Sequence, residues 1–478
     1  MSENKQQRPF GLRDKIGYLF GDFGNNFTFV FSTTILMKFY TDVVGVSAGV
    51  VGTIMMLARF VDAFTDVTMG RICDRSRVTK QGKFKPWILR MCIPVALSSF
   101  LIYQSSVASL PLWGKIIYLA VTYILWGSVF YTAVNIPYGS MASLISGEPT
   151  HRQSLSAFRT MGGMFAGVII GVGLPFFAYE KNHLGKEILL GNRVTFIAGL
   201  FSVLAVVCYF LCWYLVTERV TPENNKKSVK NASVKMMFVN AVKNRALVSI
   251  IAASVVMLLS QLTMQNMSGY IFPEFYNNAT AQSVSNIFML IGMIGAALFA
   301  NPISRKIGKA EMSVIASIFA AVVCVCIYLI RPENVWVYVV LQTFFWFGLG
   351  IFSMVNWALI TDVIDYSEIK NGVREDGSVY ALYSFARKVG QAAASGISGW
   401  LLTAIGYSEE RAKLGQSQTD SVLDGIFNIS ALVPALGLVL LALILWFWYP
   451  LHKKQVDENV EILRNKHNKG DIDNATDN

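Results

Sequence analysis

The chain has 478 residues, of which 54% are hydrophobic and only 15% charged, where a soluble chain carries about 25% charged residues. That balance excludes an ordinary soluble domain and specifies a membrane protein with many spans. The formal charge of +11 does not point to nucleic acid, because the basic residues gather in short loops beside apolar runs, where they suit anionic lipid.

The first sixteen residues are polar and basic (Lys5, Arg8, Arg13, Lys15), with no apolar run ending in a small-residue cleavage site. The first span is therefore expected to direct insertion itself. Apolar runs of about 20 or more residues mark predicted helices. They are twelve in number, centred near Phe29, Met56, Leu97, Trp126, Gly167, Val203, Val256, Leu290, Ala320, Phe347, Ala393 and Leu440. The longest polar connection falls between the sixth and seventh. The predicted organisation is a six-helix bundle over 1–217, a cytoplasmic middle loop over 218–245, a second six-helix bundle over 246–450 and a cytoplasmic tail over 451–478. Lys and Arg favour one side, which places both termini in the cytoplasm of a multi-pass protein of the cell membrane, most naturally a bacterial inner membrane.

Short basic connections follow the second span (GRICDRSRVTKQGKFKP) and the eighth (NPISRKIGKAEM). Their equivalent positions in two six-helix units match the all-α major facilitator plan, with a substrate site near the midplane between the halves.

In the first span, GYLFGDFGNNFTF sets Asp22, Asn25 and Asn26 on adjoining turns. The amides offer donors and acceptors to sugar hydroxyls, or to a neighbouring helix. In the second span, ARFVDAFTD puts Asp62 and Asp66 one turn apart on a single face. An aspartate at the centre of a membrane helix costs about 2.5–3.5 kcal/mol, so the pair needs a cation, a proton or a basic partner. The readings are a coupling-ion site and an ion pair with Arg59, and the two are compatible.

The fourth span carries YTAVNIPYGS. Pro137 frees the carbonyl of Ala133, and Thr132 and Asn135 lie beside the opening, so this is either a cation-ligating bend or a plain kink. Glycines 163, 167 and 171 in the fifth span predict close helix packing. Arg159, just before them, either reaches a central cavity or snorkels to the interface. Gln261, Gln265 and Asn266 form a polar stripe on the seventh span, suited to a substrate path or to helix contact. TDVIDYSEIKNGVREDG is read as a charged cytoplasmic connection, in which Asp362, Asp365 and Arg374 either latch onto Arg71 or Arg75 or are simply solvated. On the eleventh span, Lys388 either pairs across the halves with Asp62 or Asp66, or snorkels with Arg387.

The six cysteines lie in or beside apolar runs without zinc-type spacing, and the four histidines lie in loops or the tail. A proton relay inside the membrane would thus use carboxylates. There is no nucleophile–base motif, metal cluster or phosphate loop for an enzyme, and no filter or ring of like charges for a channel.

Taken together, YTDVVGVSAGVVGT, ARFVDAFTD, GKFKPWIL, VNIPYGS, DVIDYSEIKNGVRE and SFARKVGQA resemble the glycoside–pentoside–hexuronide:cation symporter family, whose best-known members move melibiose and glucuronides. The resemblance covers nearly the whole chain. It implies a cation site at Asp62, Asp66 and Thr132, an arginine at the sugar site in Arg159, and a lysine serving cation and sugar in Lys388. Asn26 and Asn135 stand where melibiose-type members have sugar-binding aspartates, and Gly139 replaces an aromatic residue. The Asn–Asn–Phe and Val–Asn–Ile–Pro–Tyr–Gly–Ser strings look more like the glucuronide branch.

The expected function is cation-coupled import of a glycoside by alternating access, a glucuronide or other hexuronide or a related pentoside or xyloside. Substrate-binding residues are Asn26, Asn135, Arg159 and Lys388. The coupling ion is Na⁺ or H⁺, with Asp62 and Asp66 as metal ligands if it is Na⁺, and no other cofactor is implied. The alternative is a lysolipid-type or other cation-coupled major facilitator transporter, with a channel behind it. The expected partners are the sugar and the lipid bilayer, with no nucleic acid and no obligate protein partner.

Overall fold

Hydrocarbon offers backbone N–H and C=O groups no partner, so an apolar chain of this kind satisfies them within helices. The structure is a computed structural model that describes residues 8–79, 81–220, 244–371 and 376–462. Among them, twelve helical spans each contain one predicted centre. Spans 1 to 6 run over Leu12–Val44, Ala48–Arg75, Lys85–Ile102, Leu112–Ile145, Pro149–Ala178 and Gly191–Leu215. Spans 7 to 12 run over Arg245–Phe275, Ala279–Ile307, Lys309–Ile330, Val335–Asn371, Asp376–Ala404 and Asp420–Trp448. Eleven are apolar enough to cross a membrane by length and composition. The eleventh span, which carries Arg387 and Lys388, falls outside that set. Large apolar side chains such as Phe64, Phe196, Leu298 and Leu436 point outward, as lipid contact requires.

Four π-helical turns widen these helices, at Phe39–Val44, Leu125–Tyr131, Ile271–Phe275 and Ile444–Trp448. Prolines 94, 137, 175, 302 and 434 sit within helices without ending them. The sequence TDVIDYSEIK, expected in a connection, is the end of the tenth span. Asp362 there is paired with Lys309, whose Nζ donates to its two oxygens at 2.6 and 2.8 Å. The Arg374 expectation lies outside the described residues. A short antiparallel hairpin, β1 (Tyr179–Lys181) with β2 (Glu187–Leu189), joins spans 5 and 6.

Packing groups the chain into two units. The first comprises Met1–Lys227 with Ser268–Asn286 and Ser395–Ile426; the second comprises Ser228–Met267, Ile287–Ala394 and Phe427–Asn478. Two stretches of the second sequence half therefore pack with the first half. Within the first unit, buried Asp14 accepts from Arg8 and Arg219 at 2.8 and 2.9 Å. Glu218 accepts from the backbone N–H groups of Lys83, Phe84 and Lys85 at 2.6–2.9 Å, which supplies orphan donors at the start of span 3 with an acceptor. The predicted middle loop thus begins as part of the first unit, and its residues 221–243 lie outside the described residues. Within the second unit, Asn356 accepts from Ser254 and donates to Tyr383.

The predicted glycine face of span 5 is used unevenly. A Cβ at Gly163 would lie 2.9 Å from Asp22 Oδ2, and one at Gly171 would lie 3.3 Å from Asn286, but nothing lies within 4 Å of one at Gly167. The tightest approach is at Gly162, where a Cβ would sit 2.5 Å from the Leu19 carbonyl oxygen of span 1. Backbone cannot yield as a side-chain tip does. Gly162→Ala is therefore expected to destabilise the protein by about 1–3 kcal/mol, while Gly167→Ala is neutral or gains up to about 1 kcal/mol of helix propensity. Thermal unfolding of the two variants in one detergent checks this ranking.

Candidate functional site

Two polar clusters of the first unit hold residues singled out in the sequence as candidate cation and sugar sites. The first joins spans 2 and 4. Span 2 is regular helix, so Asp62 and Asp66 fall on one face. Asp62 is buried; its Oδ2 accepts from Arg59 at 3.1 Å and its Oδ1 from the Ser128 hydroxyl. Thr132 donates to Asp66 Oδ1 at 3.0 Å, and its hydroxyl lies 3.2 Å from the Gly127 carbonyl. Arg59 stacks on Phe29 at 5.0 Å. The expected ion pair with Arg59 is present, and the hydroxyls of Ser128 and Thr132 meet the same two carboxylates.

The π-helical turn Leu125–Tyr131 brings span 4 to these carboxylates. It sets Ser128 against Asp62, and a Cβ at Gly127 would lie 3.6 Å from Asp62 Oδ1. Such wide turns recur where a helix serves a ligand. The backbone irregularity therefore precedes Pro137, which sits inside continuous helix. Two carboxylates, two hydroxyls and a carbonyl are hard oxygen donors, able to hold a proton or a hard cation. Sequence reasoning missed Ser128 and Gly127. The available signal was Ser128 standing four residues before Thr132, on the same helix face.

The second cluster joins spans 1, 4 and 5. Arg159 Nε donates to Asp22 Oδ1 at 3.0 Å. Asn26 Nδ2 donates to Asp22 Oδ2 and to the Asp22 carbonyl, each at 2.8 Å. Both Asp22 oxygens are thereby engaged by its neighbours. Arg159 lies 5.4 Å from the Tyr138 ring and keeps 42% of its side chain exposed. Tyr138 stacks on Tyr18 with ring centroids 4.6 Å apart. Gly21 makes room for it, since a Cβ there would meet the ring at 2.3 Å. A Cβ built at Gly139 would sit 3.9 Å from the Arg159 guanidinium, in ordinary van der Waals contact.

The two adjacent asparagines of span 1 divide their roles. Asn25 is buried, donating to Asn135 Oδ1 at 3.4 Å and accepting from Tyr209 at 2.9 Å. Asn26 is half-buried and shares Asp22 with Arg159, while Asn135 is half-buried and contacts Asn25. Asp22 is the group that ties Asn26 to Arg159. Phe29 stacks on Tyr131 at 5.6 Å, which links the surroundings of the two clusters.

Lys388 belongs to the second unit, on the eleventh span, and is half-buried. Its neighbour Arg387 stacks 5.8 Å from Trp357 and 5.9 Å from Tyr383. Gln261, Gln265 and Asn266 are half-buried in the second unit.

Residues 17–453 match the family described as MFS/sugar transport protein. The chain is 30% identical to a glucuronide carrier protein homolog of Escherichia coli, over 95% of this chain and 96% of that one. It is 29% identical to a putative sulfoquinovose importer of the same organism, over 96% and 95%. It is 30% identical to the isoprimeverose transporter of Lactiplantibacillus pentosus, over 91% and 88%. Among solved structures, the Escherichia coli xylose transporter in an inward-open conformation shares the fold, with a TM-score of 0.61 at 11% identity over 95% of this chain and 98% of that one. The matched range, the curated relatives and the twelve-span architecture agree: the chain belongs to the MFS/sugar transport family, and within it to the glycoside–pentoside–hexuronide:cation symporters, as a membrane transporter and not an enzyme.

Proposed function

We propose that the protein imports an acidic glycoside, a hexuronide or a sugar carrying a comparable anionic group, together with one coupling cation. The observation that carries this reading is the posture of Arg159. Asp22 holds the guanidinium through Nε alone, which leaves the far edge, with two terminal nitrogens, directed away from that carboxylate. A guanidinium edge matches a carboxylate or sulfonate in two parallel hydrogen bonds. Asn26, held on the same Asp22, and Asn135, hydrogen-bonded to Asn25, offer amides rather than carboxylates, so sugar hydroxyls are met without adding negative charge. Relatives named for a glucuronide and for sulfoquinovose support an anionic cargo, and the one named for isoprimeverose marks the neutral pentoside as the competing substrate.

The coupling ion, Na⁺ or H⁺, binds at Asp62, Asp66 and Thr132, with the Ser128 hydroxyl and Gly127 carbonyl completing the oxygen set. Lys388, on the eleventh span, is the basic residue that links cation and sugar handling. The N- and C-termini face the cytoplasm, so a cation gradient directed inward drives accumulation.

Uptake into proteoliposomes of a labelled glucuronide, xyloside and galactoside, each with and without a sodium gradient at fixed pH, tests substrate and ion together. Preferred uptake of the neutral xyloside would overturn the anionic reading. Asn26→Asp and Asn135→Asp are expected to weaken the glucuronide by about tenfold or more, a loss of about 1.4 kcal/mol, and the xyloside much less. Equal losses would remove charge complementarity as the explanation.

Asp62→Asn and Asp66→Asn are expected to abolish accumulation against a gradient while leaving exchange of sugar across the membrane. Ser128→Ala is expected to raise the half-saturating cation concentration about three- to tenfold, the equivalent of one modest hydrogen bond. Normal accumulation by either aspartate variant at wild-type abundance would make the pair structural.

Lys388→Ala is expected to impair coupling, and adding Asp62→Asn to it should cost less than in the wild type. Strictly additive losses of cation affinity would argue against the link.

A further inference from the structure

A third cluster of charges lies at the opposite end of span 1, away from both candidate sites. Lys38 closes the α-helical part of that span and is 2% exposed. Its Nζ lies 2.7 Å from Asp42 Oδ2 and 2.6 Å from Glu274 Oε1. Lys186, in the turn between β1 and β2, places Nζ 2.8 Å from Glu274 Oε2, an ion pair by distance rather than an aligned hydrogen bond. The Tyr407 hydroxyl donates to Asp42 Oδ1 at 2.8 Å and accepts from Lys38 at 3.2 Å. The rings of Tyr270 and Tyr407 stand 4.5 and 5.5 Å from the ammonium. Both acids sit in π-helical turns, Asp42 in Phe39–Val44 and Glu274 in Ile271–Phe275.

The cluster joins distant parts of the sequence. Lys38, Asp42 and Lys186 come from the first half; Glu274 ends span 7 and Tyr407 follows span 11. The hairpin reinforces the same joint: Lys186 donates to the Gln416 carbonyl at 2.6 Å, and Asn182 donates to the Gly415 carbonyl at 2.9 Å. Asn277 accepts from the Glu187 backbone at 2.7 Å and donates to the Gly185 carbonyl at 2.9 Å. These contacts explain why 268–286 and 395–426 pack with the first unit.

We propose that Lys38, Asp42, Lys186, Glu274 and Tyr407 form a reversible clasp that shuts the extracellular end of the transport path and must part once in every cycle. Two ammonium groups and two carboxylates make the closed cluster neutral. Parted, the first-half side keeps two lysines and one aspartate, net +1, and the second-half side keeps Glu274, net −1. Neither side tolerates burial alone, so opening requires water to enter, which is what a gate must admit. Buried ion pairs add little net stability over hydrated ones but penalise wrong partners heavily. A clasp of this chemistry defines the closed geometry without trapping it. An apolar joint of the same area would stay shut. The inference rests on the transporter class and on termini facing the cytoplasm, and on no choice of substrate.

The test places one cysteine at Thr34, one turn inside Lys38 on span 1, in the full-length chain with its six native cysteines replaced. Alkylation by a membrane-impermeant maleimide added outside intact cells is timed without sugar. Glu274→Gln leaves two lysines against one aspartate and is expected to raise the alkylation rate about tenfold. The double variant Lys38→Met/Glu274→Met leaves one acid and one base, Asp42 and Lys186, so the cluster stays neutral. It should return the rate to within about threefold of wild type, while transport of any substrate slows because the apolar joint no longer hydrates. Lys186→Gln, at the rim of the cluster, gives the same sign with a smaller change and serves if Glu274→Gln fails to reach the membrane. An unchanged rate in whichever single variant is displayed at wild-type abundance would overturn the clasp. So would equal acceleration in the single and double variants, which would mark general loosening. Either failure leaves the acidic-glycoside reading standing, since alkylation needs no substrate.

Discussion

Ionisable groups inside an apolar bundle must find partners that hydrocarbon does not supply, and this requirement organises the first unit. Asp62 is met by Arg59 and Ser128, Asp22 by Arg159 and Asn26, and Lys38 by Asp42 and Glu274. Each group takes one partner from its own span and one from a distant segment, so satisfying the charges also helps determine which helices lie together. Residues that a soluble protein would leave on its surface here act as joints between spans.

The joints differ in what they leave available. Around Asp22 both oxygens are consumed, yet Arg159 remains 42% exposed with one edge of its guanidinium uncommitted to that acid. Around Lys38 every charge is enclosed, and rings close over the ammonium. A partly satisfied arginine suits recognition of a soluble anion, whereas a fully satisfied neutral cluster suits a contact that opens and closes. The carboxylates of span 2 fall between these cases, with hydroxyls in place that a cation can recruit as ligands.

Helical irregularity is the second recurring device. Regular helix keeps side chains on a fixed 3.6-residue period, so a residue on the lipid-facing side stays there. The π-helical turns break that period where chemistry is needed: Leu125–Tyr131 sets Gly127 and Ser128 against Asp62, and two further turns carry Asp42 and Glu274. Glycines act in parallel at Gly21, Gly162 and Gly163, where a ring, a carbonyl or a carboxylate occupies the place of a Cβ.

The amino-acid sequence alone determined the class. Run lengths of apolar residues and the Lys and Arg bias are one-dimensional quantities, and the twelve predicted centres all fall within helical spans. The spacing of Asp62 and Asp66 was equally legible, because a four-residue interval has one meaning on a helix. The tertiary structure alone decided the partners. Ser128, Gly162 and Asp22 matter through residues on other spans, and no local period reveals a neighbour about 100 residues away. The π-helical turns were hidden for a related reason: they arise where packing and pairing outweigh regular backbone geometry, and Leu125–Tyr131 does not differ in composition from ordinary membrane helix. The Lys38 cluster needed both, since its charges are visible in the sequence but their neutral sum exists only once span 1, the β1–β2 hairpin and the end of span 7 meet.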